Sequence, residues 1–252
     1  MALVTAIRDL HRRKGRERRG LALAEGIRLV EEMLAANAAC KGAIVSPALA
    51  GTERGARLRA SLVRGGVQLE EVADHELADL AATEHPQGVV AVYTVPTWPI
   101  EALAPRNGQP LVVLDGVQDP GNVGTIARTA RAFGAAGLVA LPGTADLSNP
   151  KVVRGAMGAL FTLPHLHLSE TAFIDSITRW RAILWAMTME GVPLATTRSD
   201  QPIVLLLGNE GAGLHPSLLA HATRQVTIPL RPGTESLNVA TAAGIALYEV
   251  TR

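Results

Sequence analysis

The sequence predicts an α/β protein whose second half contains a mainly parallel sheet. Apolar runs at residues 203–207 and 226–230 are typical of strands, and each passes directly into a turn rich in Gly and Pro. Further apolar runs alternate with helical patterns from residue 111 onward. Such an alternation requires a mainly parallel sheet with helices on both faces, here of about five or six strands.

The composition predicts an aliphatic core. Hydrophobic residues make up 48% of the 252 residues, whereas aromatic residues make up only 3%. A protein that grips bases chiefly by aromatic stacking needs more aromatic side chains, so that class is disfavoured. The net charge of +1 does not by itself indicate a polyanionic partner, and the position of the basic residues therefore matters more than their number.

The sequence favours a reducing compartment. Cys40 is its only cysteine, which excludes a disulfide framework and a thiolate metal cluster. The first residues lack the apolar stretch of a secretory signal, and no uncharged apolar run approaches the roughly 20 residues of a membrane span. We therefore expect a cytoplasmic protein without a membrane partner.

Basic residues crowd into one short segment near the N-terminus, where only Asp9 and Glu17 oppose them. A charge run of this kind is usually a solvated helical face. This run has too few acidic residues to be paired off in salt bridges, which favours a surface that faces phosphates. The residues predicted to bind such phosphates are Arg12, Arg13, Lys14, Arg16, Arg18 and Arg19.

The first part of the chain is predicted to be a small α/β module. From Leu21 the apolar residues follow helical spacing, so a helix is expected to begin there. Strands and helices are expected at residues 42–46 (strand), 54–64 (helix), 67–72 (strand), 74–82 (helix) and 88–95 (strand).

Residues 95–110 hold four prolines outside any strand or helix and predict a linker. We place the linker at residues 96–109. It separates a first domain at residues 1–95 from a second domain at residues 110–252.

The second domain is predicted to alternate strands and helices. The strands are expected at residues 111–114, 137–141, 182–187, 203–207 and 226–230, and the helices at residues 125–133, 151–161 and 173–181. A helix of small residues follows Ser236-Leu237-Asn238. Ser236 occupies the position expected for the N-cap of that helix, so polar groups gather at one end of a strand.

Three motifs of the second domain are NVGTIARTARAFG from Asn122, LLLGNEGAGL from Leu205 and IPLRPGTESLNVATAAGIALYE from Ile228. In this order and at these separations they resemble the SpoU branch of the SPOUT RNA methyltransferases. The resemblance implies a C-terminal parallel-sheet domain with a trefoil knot, S-adenosylmethionine as the methyl donor, and a homodimer formed through that domain.

Two further stretches, KGRERRGLALAEGIRLVEE from Lys14 and HPQGVVAV from His85, resemble the L30e-like substrate-binding domain at the N-terminus of many SpoU enzymes. The whole resemblance implies methyl transfer to the ribose 2′-hydroxyl of structured RNA. The N-terminal module favours ribosomal RNA, most directly 23S-type RNA, over transfer RNA.

Five residues match active-site positions of the family, namely Asn122, Arg128, Glu210, Ser236 and Asn238. The arginine of SpoU enzymes is commonly assigned to activation of the 2′-hydroxyl. An arginine is effectively always protonated and offers no acceptor, so we interpret Arg128 as a group that orients phosphate and ribose and stabilises the developing alkoxide. True base action stays open. Outside this pattern the same residues would be helix caps, a surface charge or a turn-stabilising carboxylate.

The donor that the resemblance implies needs an apolar slot edged by backbone donors and acceptors. The predicted cofactor-binding residues are Leu207, Gly208, Ile228, Pro229, Leu230 and Leu237, with Thr188 as a further candidate. No metal is predicted, because the histidines show no ligand spacing and the sulfonium is already an activated leaving group.

Other interpretations stay open: a transfer RNA 2′-O-methyltransferase, and a non-catalytic RNA-binding factor in ribosome assembly. The five intact residues stand against the second. A dinucleotide-dependent enzyme is disfavoured because no strand leads into GxGxxG. The chain also departs from many relatives by having Gly155-Ala156 where they have a serine. In the same helix Lys151 and Arg154 face either RNA or solvent.

Overall fold

The computed structural model describes residues 3–252 and consists of two compact units. The first unit comprises the described residues up to Pro96 together with Asp146–Thr162, and the second comprises Thr97–Ala145 and Leu163–Arg252. The segment Asp146–Thr162 therefore packs with the first unit although it lies in the second half of the sequence. The domain division at residues 1–95, 96–109 and 110–252 stays a prediction.

The described residues form strands and helices in alternation. The strands are β1 (Leu21–Glu25), β2 (Cys40–Val45), β3 (Leu69–Glu71), β4 (Val89–Thr94), β5 (Leu111–Leu114), β6 (Gly137–Ala140), β7 (His165–His167), β8 (Ile183–Pro193), β9 (Ile203–Leu207) and β10 (Arg224–Thr227). The helices are α1 (Leu3–Leu10), α2 (Arg13–Arg19), α3 (Ile27–Ala35), α4 (Pro47–Ala50), α5 (Glu53–Arg64), α6 (Asp74–Leu80), α7 (Pro120–Ala132), α8 (Pro150–Gly155), α9 (Glu170–Trp180), α10 (Pro216–Ala220) and α11 (Val239–Thr251).

The first unit is built on a mixed four-stranded sheet of order β1-β4-β2-β3. Strand β4 pairs antiparallel with β1 and β2, and β2 pairs parallel with β3. Apolar side chains from the sheet and from two helices form its core, namely Ile7, Leu10, Leu23, Ile44, Leu77, Leu80, Val90 and Val92. Burial of this aliphatic set drives the unit together, as the composition predicts.

The helix expected from Leu21 is wrong at its start. Residues Leu21–Glu25 form β1, which pairs with β4 along its whole length, and the helix α3 begins only at Ile27. Gly20 has a φ of 62° and caps α2, while Gly26 has a φ of 93° between strand and helix. Both values lie in the left-handed region that glycine adopts without steric cost. Gly20 therefore ends α2 before the strand, and Gly26 separates β1 from α3.

The second unit is built on a six-stranded sheet of order β10-β8-β9-β5-β6-β7, and every pair of neighbours is parallel. All residues of β5 are buried, as the continuous apolar run predicts for a strand covered on both faces. The α/β fold class is thereby confirmed, with a mixed N-terminal sheet and a parallel C-terminal sheet. The trefoil knot stays a prediction.

Two predicted elements of the second half of the sequence end differently in the structure. The helix expected at residues 151–161 stops at Gly155, and the backbone turns away at Met157 and Gly158, with φ of 47° and 90°, before a short 3₁₀ turn at Ala159–Phe161. The strand expected at residues 226–230 is β10, which ends at Thr227, so residues 228–230 belong to the loop that follows. Within residues 3–252 no helix has the length and apolar character of a membrane span.

Candidate active site

A cavity of about 300 Å³ opens at the carboxyl ends of β9 and β10 and beside Met187–Met189 within β8, in the second unit. This is the edge of a parallel sheet at which ligands bind in α/β folds. Its apolar lining includes Leu207, Ile228, Leu230 and Leu237. The volume lies at the lower end of the range of pockets for small molecules and cofactors.

The turn after β9 forms one wall of the cavity and depends on Gly208. The backbone groups of Asn209 and Gly213 hydrogen-bond each other, with N···O distances of 2.9 and 3.0 Å. A Cβ atom on Gly208 would lie 2.5 Å from the carbonyl carbon of Gly213. No side chain fits there without displacing the backbone, so glycine is required for the turn to fold back on the strand end.

Asn209 holds this turn in place, and the sequence reasoning missed it. Its Oδ1 accepts hydrogen bonds from the backbone N–H groups of Gly211 and Ala212, both at 2.9 Å. Its Nδ2 donates to the carbonyl of Gly116, in the loop after β5, at 2.7 Å. An asparagine that bonds backbone groups two and three residues ahead is a turn signal, which would have identified the role.

Three of the predicted catalytic residues form a hydrogen-bonded chain beside the cavity. Asn238 Nδ2 donates to Asn122 Oδ1 at 3.0 Å, and Asn122 Nδ2 donates to Glu210 Oε1 at 2.7 Å. Glu210 also lines the cavity. These two bonds fix the orientation of the Asn122 amide, because its oxygen faces the amide N–H of Asn238 and its nitrogen faces the carboxylate of Glu210, which only accepts.

Two helix N-termini present these asparagines. Asn122 lies in the first turn of α7, whose N-cap is Asp119, with the backbone N–H of Asn122 donating to Asp119 Oδ1 at 2.8 Å. Asn238 is itself the N-cap of α11, accepting from the N–H groups of Ala240 and Thr241. The prediction of Ser236 as this cap is therefore wrong, and Ser236 instead lines the cavity.

Arg128 lies on the exposed face of α7, six positions after Asn122. It makes no hydrogen bond or ion pair within residues 3–252, and it does not line the cavity. Its guanidinium is therefore available to a group from outside the chain.

The sequence profile of the SpoU rRNA Methylase family matches residues 109–248, and that of the MRM3-like substrate binding domain matches residues 2–91. The first match spans more than half of the chain and includes every residue described above. The chain belongs to the SpoU rRNA methylase family. The resemblance stated from the three motifs is thereby confirmed.

Two proteins that resemble this chain over nearly their whole length support its assignment to the SpoU family. The 23S rRNA (guanosine(2553)-2′-O)-methyltransferase RlmP of Bacillus subtilis is 32% identical over 96% of this chain and 93% of its own. The AdoMet-bound rRNA methyltransferase of Sinorhizobium meliloti is 31% identical, with a TM-score of 0.84 over 99% of this chain and 94% of that one.

A second similar structure is that of the SpoU methyltransferase AviRb of Streptomyces viridochromogenes in complex with AdoMet. It is 29% identical, with a TM-score of 0.86 over 100% of this chain and 98% of that one. The enzyme class and the donor that the resemblance implies are confirmed: an RNA 2′-O-ribose methyltransferase that uses S-adenosylmethionine.

Most residues predicted to bind the donor lie at the cavity of this SpoU enzyme. The lining residues among them are Leu207, Gly208, Ile228, Leu230, Leu237 and Thr188. Pro229 is not among the lining residues. Met187 and Met189 line the cavity and were missed, because β8 continues to Pro193, beyond the strand end at residue 187 that the sequence predicts. Within residues 3–252 no three His, Cys, Asp or Glu side chains cluster as a metal site.

The basic segment of the first unit divides into buried and exposed residues. Arg16 is only 3% exposed, and its guanidinium is bound within the unit by Asp146, which removes it from the predicted RNA-facing surface. Arg18 and Arg19 both pair with Asp9, and these hydrogen bonds, Arg19's above all, hold the pKa of the Asp9 carboxyl below its ordinary value.

The exposed members at the start of α2 remain available to a partner. Arg13 pairs with Glu17 in a fully exposed i,i+4 contact, which contributes little to stability. Arg12 and Lys14 are exposed and make no ion pair with any residue that the structure describes.

Proposed function

We propose that the protein transfers a methyl group from S-adenosylmethionine to the 2′-hydroxyl of a ribose in 23S-type ribosomal RNA. The observation that carries the proposal is the Asn238–Asn122–Glu210 chain at the mouth of an apolar cavity. A cavity holds the donor, and fixed polar groups at its mouth meet the ribose. Two similar enzymes, RlmP of Bacillus subtilis and a methyltransferase of Streptomyces viridochromogenes, are named for 2′-O-methylation of 23S rRNA, at a guanosine and a uridine.

The lining chemistry of the cavity fits the donor. Leu207, Leu230 and Leu237 offer an apolar slot for an adenine ring, and the exposed backbone at Gly208 offers hydrogen-bonding groups for its edge. Glu210 brings a carboxylate to the same cavity, which suits a cationic sulfonium. When bound, the donor supplies an activated methyl group for in-line attack by the ribose oxygen.

The polar residues beside the cavity act on the ribose side of the reaction. Asn122 and Asn238 are fixed by each other and by the two helix N-termini, so their positions need no reorganisation during transfer. Arg128 orients a substrate phosphate and stabilises negative charge as the 2′-oxygen loses its proton. Its exposure and lack of a partner within residues 3–252 support this role.

We further infer a homodimer formed through α7 and α11, which pack against each other. On α11 the exposed residues Thr241, Ile245 and Tyr248 form one stripe at helical spacing. Ile245 is 38% and Tyr248 52% exposed, which is unusual for large apolar side chains on a packed helix. A second copy that covers this stripe would also bring its surface close to the exposed face of α7 that carries Arg128.

The dimer is tested by sedimentation of the full chain. Ile245→Glu places a charge in the proposed interface and should halve the particle mass to the 26.5 kDa of one chain. The matched control is Val63→Glu, which alters a side chain 56% exposed in the first unit and should leave the dimer intact. A wild-type protein that sediments as a monomer would contradict the inference.

The function is tested by transfer of labelled methyl from S-adenosylmethionine to transcribed 23S RNA, 16S RNA and transfer RNA. We expect incorporation into 23S RNA, and loss of incorporation in Glu210→Gln with the fold retained. Labelling of transfer RNA alone would mean that the substrate is transfer RNA and not 23S RNA. Donor binding without any transfer would favour a non-catalytic RNA-binding factor. A cytoplasmic location follows for the protein if ribosomal RNA is its substrate.

A further inference from the structure

The segment Asp146–Thr162 is an integral part of the first unit. Its helix α8 lies against β1, and the ring of Phe161 meets Tyr93 of β4 edge-on with centroids 5.0 Å apart. Gly158 packs so closely on α3 that a Cβ atom would lie 2.7 Å from Cβ of Glu32. The segment therefore has a defined place in the unit that contains the basic residues of α2.

Arg16 joins this segment to α2 through a buried network. Its Nη2 and Nε donate to Asp146 Oδ2 at 2.5 and 3.0 Å, and Nε also donates to Ser148 Oγ at 3.2 Å. Its Nη1 donates to the carbonyls of Leu10 and His11 at 2.9 and 3.0 Å. Every nitrogen of the guanidinium has a partner, so the two chain segments are held in one arrangement.

The charge of Asp146 is matched within this network. Burial would raise the pKa of its carboxyl, but the hydrogen bonds from Arg16 and Ser148 and the charge of Arg16 together hold the pKa below its ordinary value. Ser148 donates to Asp146 Oδ1 through both its backbone N–H and its hydroxyl, at 3.0 and 2.8 Å. The carboxylate is thus turned inward, and buried Arg16 is its ion-pair partner.

Exposed cations stand on both sides of this buried contact. Arg12, Arg13 and Lys14 come just before Arg16, and Lys151 follows Ser148 by three residues, in the first turn of α8. The pKa of Arg13 is raised, first by its hydrogen bond to Glu17 and then by the charges of Glu17 and Asp146.

We propose that Arg12, Arg13 and Lys14 of the first segment and Lys151 of the second form one composite face that binds RNA phosphates. The proposal rests on the proposed function and names the docking surface for its substrate. Arg16 is a positioning residue of this face, since it is buried and its hydrogen bonds to Asp146 and Ser148 tie the segment that carries Lys151 to α2. The face gives affinity and register on the RNA backbone rather than choice of sequence.

The test is the salt dependence of RNA binding by the full chain, with transcribed 23S RNA as the probe. Each phosphate contact adds close to one unit to the slope of log affinity against log salt. Lys151→Gln should lower the slope by about 1 and the affinity at 0.1 M salt by roughly 3- to 10-fold. The matched control is Lys41→Gln, which alters an exposed lysine of β2 in the same unit and should leave both quantities unchanged.

The positioning role of Arg16 is tested by a double-variant cycle. Arg16→Lys keeps the charge but loses the planar fork, so it should lower the salt slope as Lys151→Gln does. Because Arg16 acts through Lys151, the double variant should bind RNA no more weakly than Lys151→Gln alone. Ser148→Ala, which removes the two hydrogen bonds that the serine hydroxyl makes with Arg16 and Asp146, replaces Arg16→Lys if that variant does not fold. Additive losses would overturn the positioning role.

These outcomes separate this inference from the proposed function. If wild-type protein methylates 23S RNA and Lys151→Gln behaves like Lys41→Gln, the composite face is wrong and the function stands. If wild-type protein binds the RNA with a slope that depends on Lys151 but transfers no methyl group, the face stands and the proposed reaction is wrong.

Discussion

Replacement of Asn122 by aspartate tests the hydrogen-bonded chain beside the cavity with a minimal change of shape. Asn122→Asp removes the donor that reaches Glu210 Oε1 at 2.7 Å and puts two carboxylates in contact. Charges about 4 Å apart repel by about 1 kcal/mol in water, and the exposure of Glu210 keeps the value near this limit. The lost hydrogen bond adds about 1 kcal/mol. The intact arrangement is therefore disfavoured by about 2 kcal/mol, or roughly 30-fold.

We expect the rate of methyl transfer at saturating RNA to fall by about 30-fold in Asn122→Asp, with donor affinity nearly unchanged because Asn122 does not line the cavity. Single-turnover transfer of labelled methyl and calorimetric titration of the donor measure the two quantities. The matched control is Gln118→Glu, which adds a carboxylate to an exposed position of the loop that leads into α7, outside the hydrogen-bonded chain. A wild-type transfer rate in Asn122→Asp would refute the reasoning.

Three further predictions concern other parts of the molecule. Arg128→Lys should abolish most methyl transfer while RNA binding is retained, because the charge remains but the guanidinium fork is lost; near-normal transfer would exclude the role. Gly208→Ala should cost about 1–3 kcal/mol and weaken donor binding in titrations, whereas Gly211→Ala, whose Cβ would meet only Asn209 Oδ1 at 3.6 Å, should do neither. Arg16→Met should destabilise the first unit by about 3–5 kcal/mol in urea unfolding, because it strands the carboxylate of Asp146. The depressed pKa of Asp146 also contributes stability above the ordinary Asp value, which is lost as the pH falls below about 4.

The parallel sheet was predictable because its strands carry an unambiguous signal. The run Leu111–Leu114 is wholly apolar and wholly buried, and the run Ile203–Leu207 ends as a strand at the residue where the glycine-rich turn begins. A strand that is buried on both faces is apolar along its whole length, so its sequence does not alternate between polar and apolar residues. The turn that begins at Gly208 then gave the correct end of β9, whereas the ends of β8 and β10 were misplaced.

The hydrogen-bonded chain was only partly predictable. The three motifs brought Asn122, Glu210 and Asn238 to one site, but their direct bonds span up to 116 residues of sequence, a distance that no local pattern describes. Ser236 was predicted as a cap because serine favours that position, yet Asn238 lies closer to the first helical residue and takes it.

The burial of Arg16 was hidden from the sequence for a similar reason. Five of the seven residues of α2 are basic, and nothing local distinguishes Arg16 from Arg13 or Arg18. Its partner Asp146 lies 130 residues away, and the capping pattern around Asn149 gives no sign that α8 packs with the first unit. Long-range ion pairs of this kind depend on tertiary structure alone.

The most direct test of the proposed chemistry is alkaline hydrolysis of 23S RNA that has received labelled methyl from S-adenosylmethionine. A methylated 2′-oxygen cannot attack the neighbouring phosphate, so the label should survive in an uncleaved dinucleotide. Recovery of the label in mononucleotides would mean that a base had been methylated. That result would contradict the assignment of the Asn238–Asn122–Glu210 chain to the ribose.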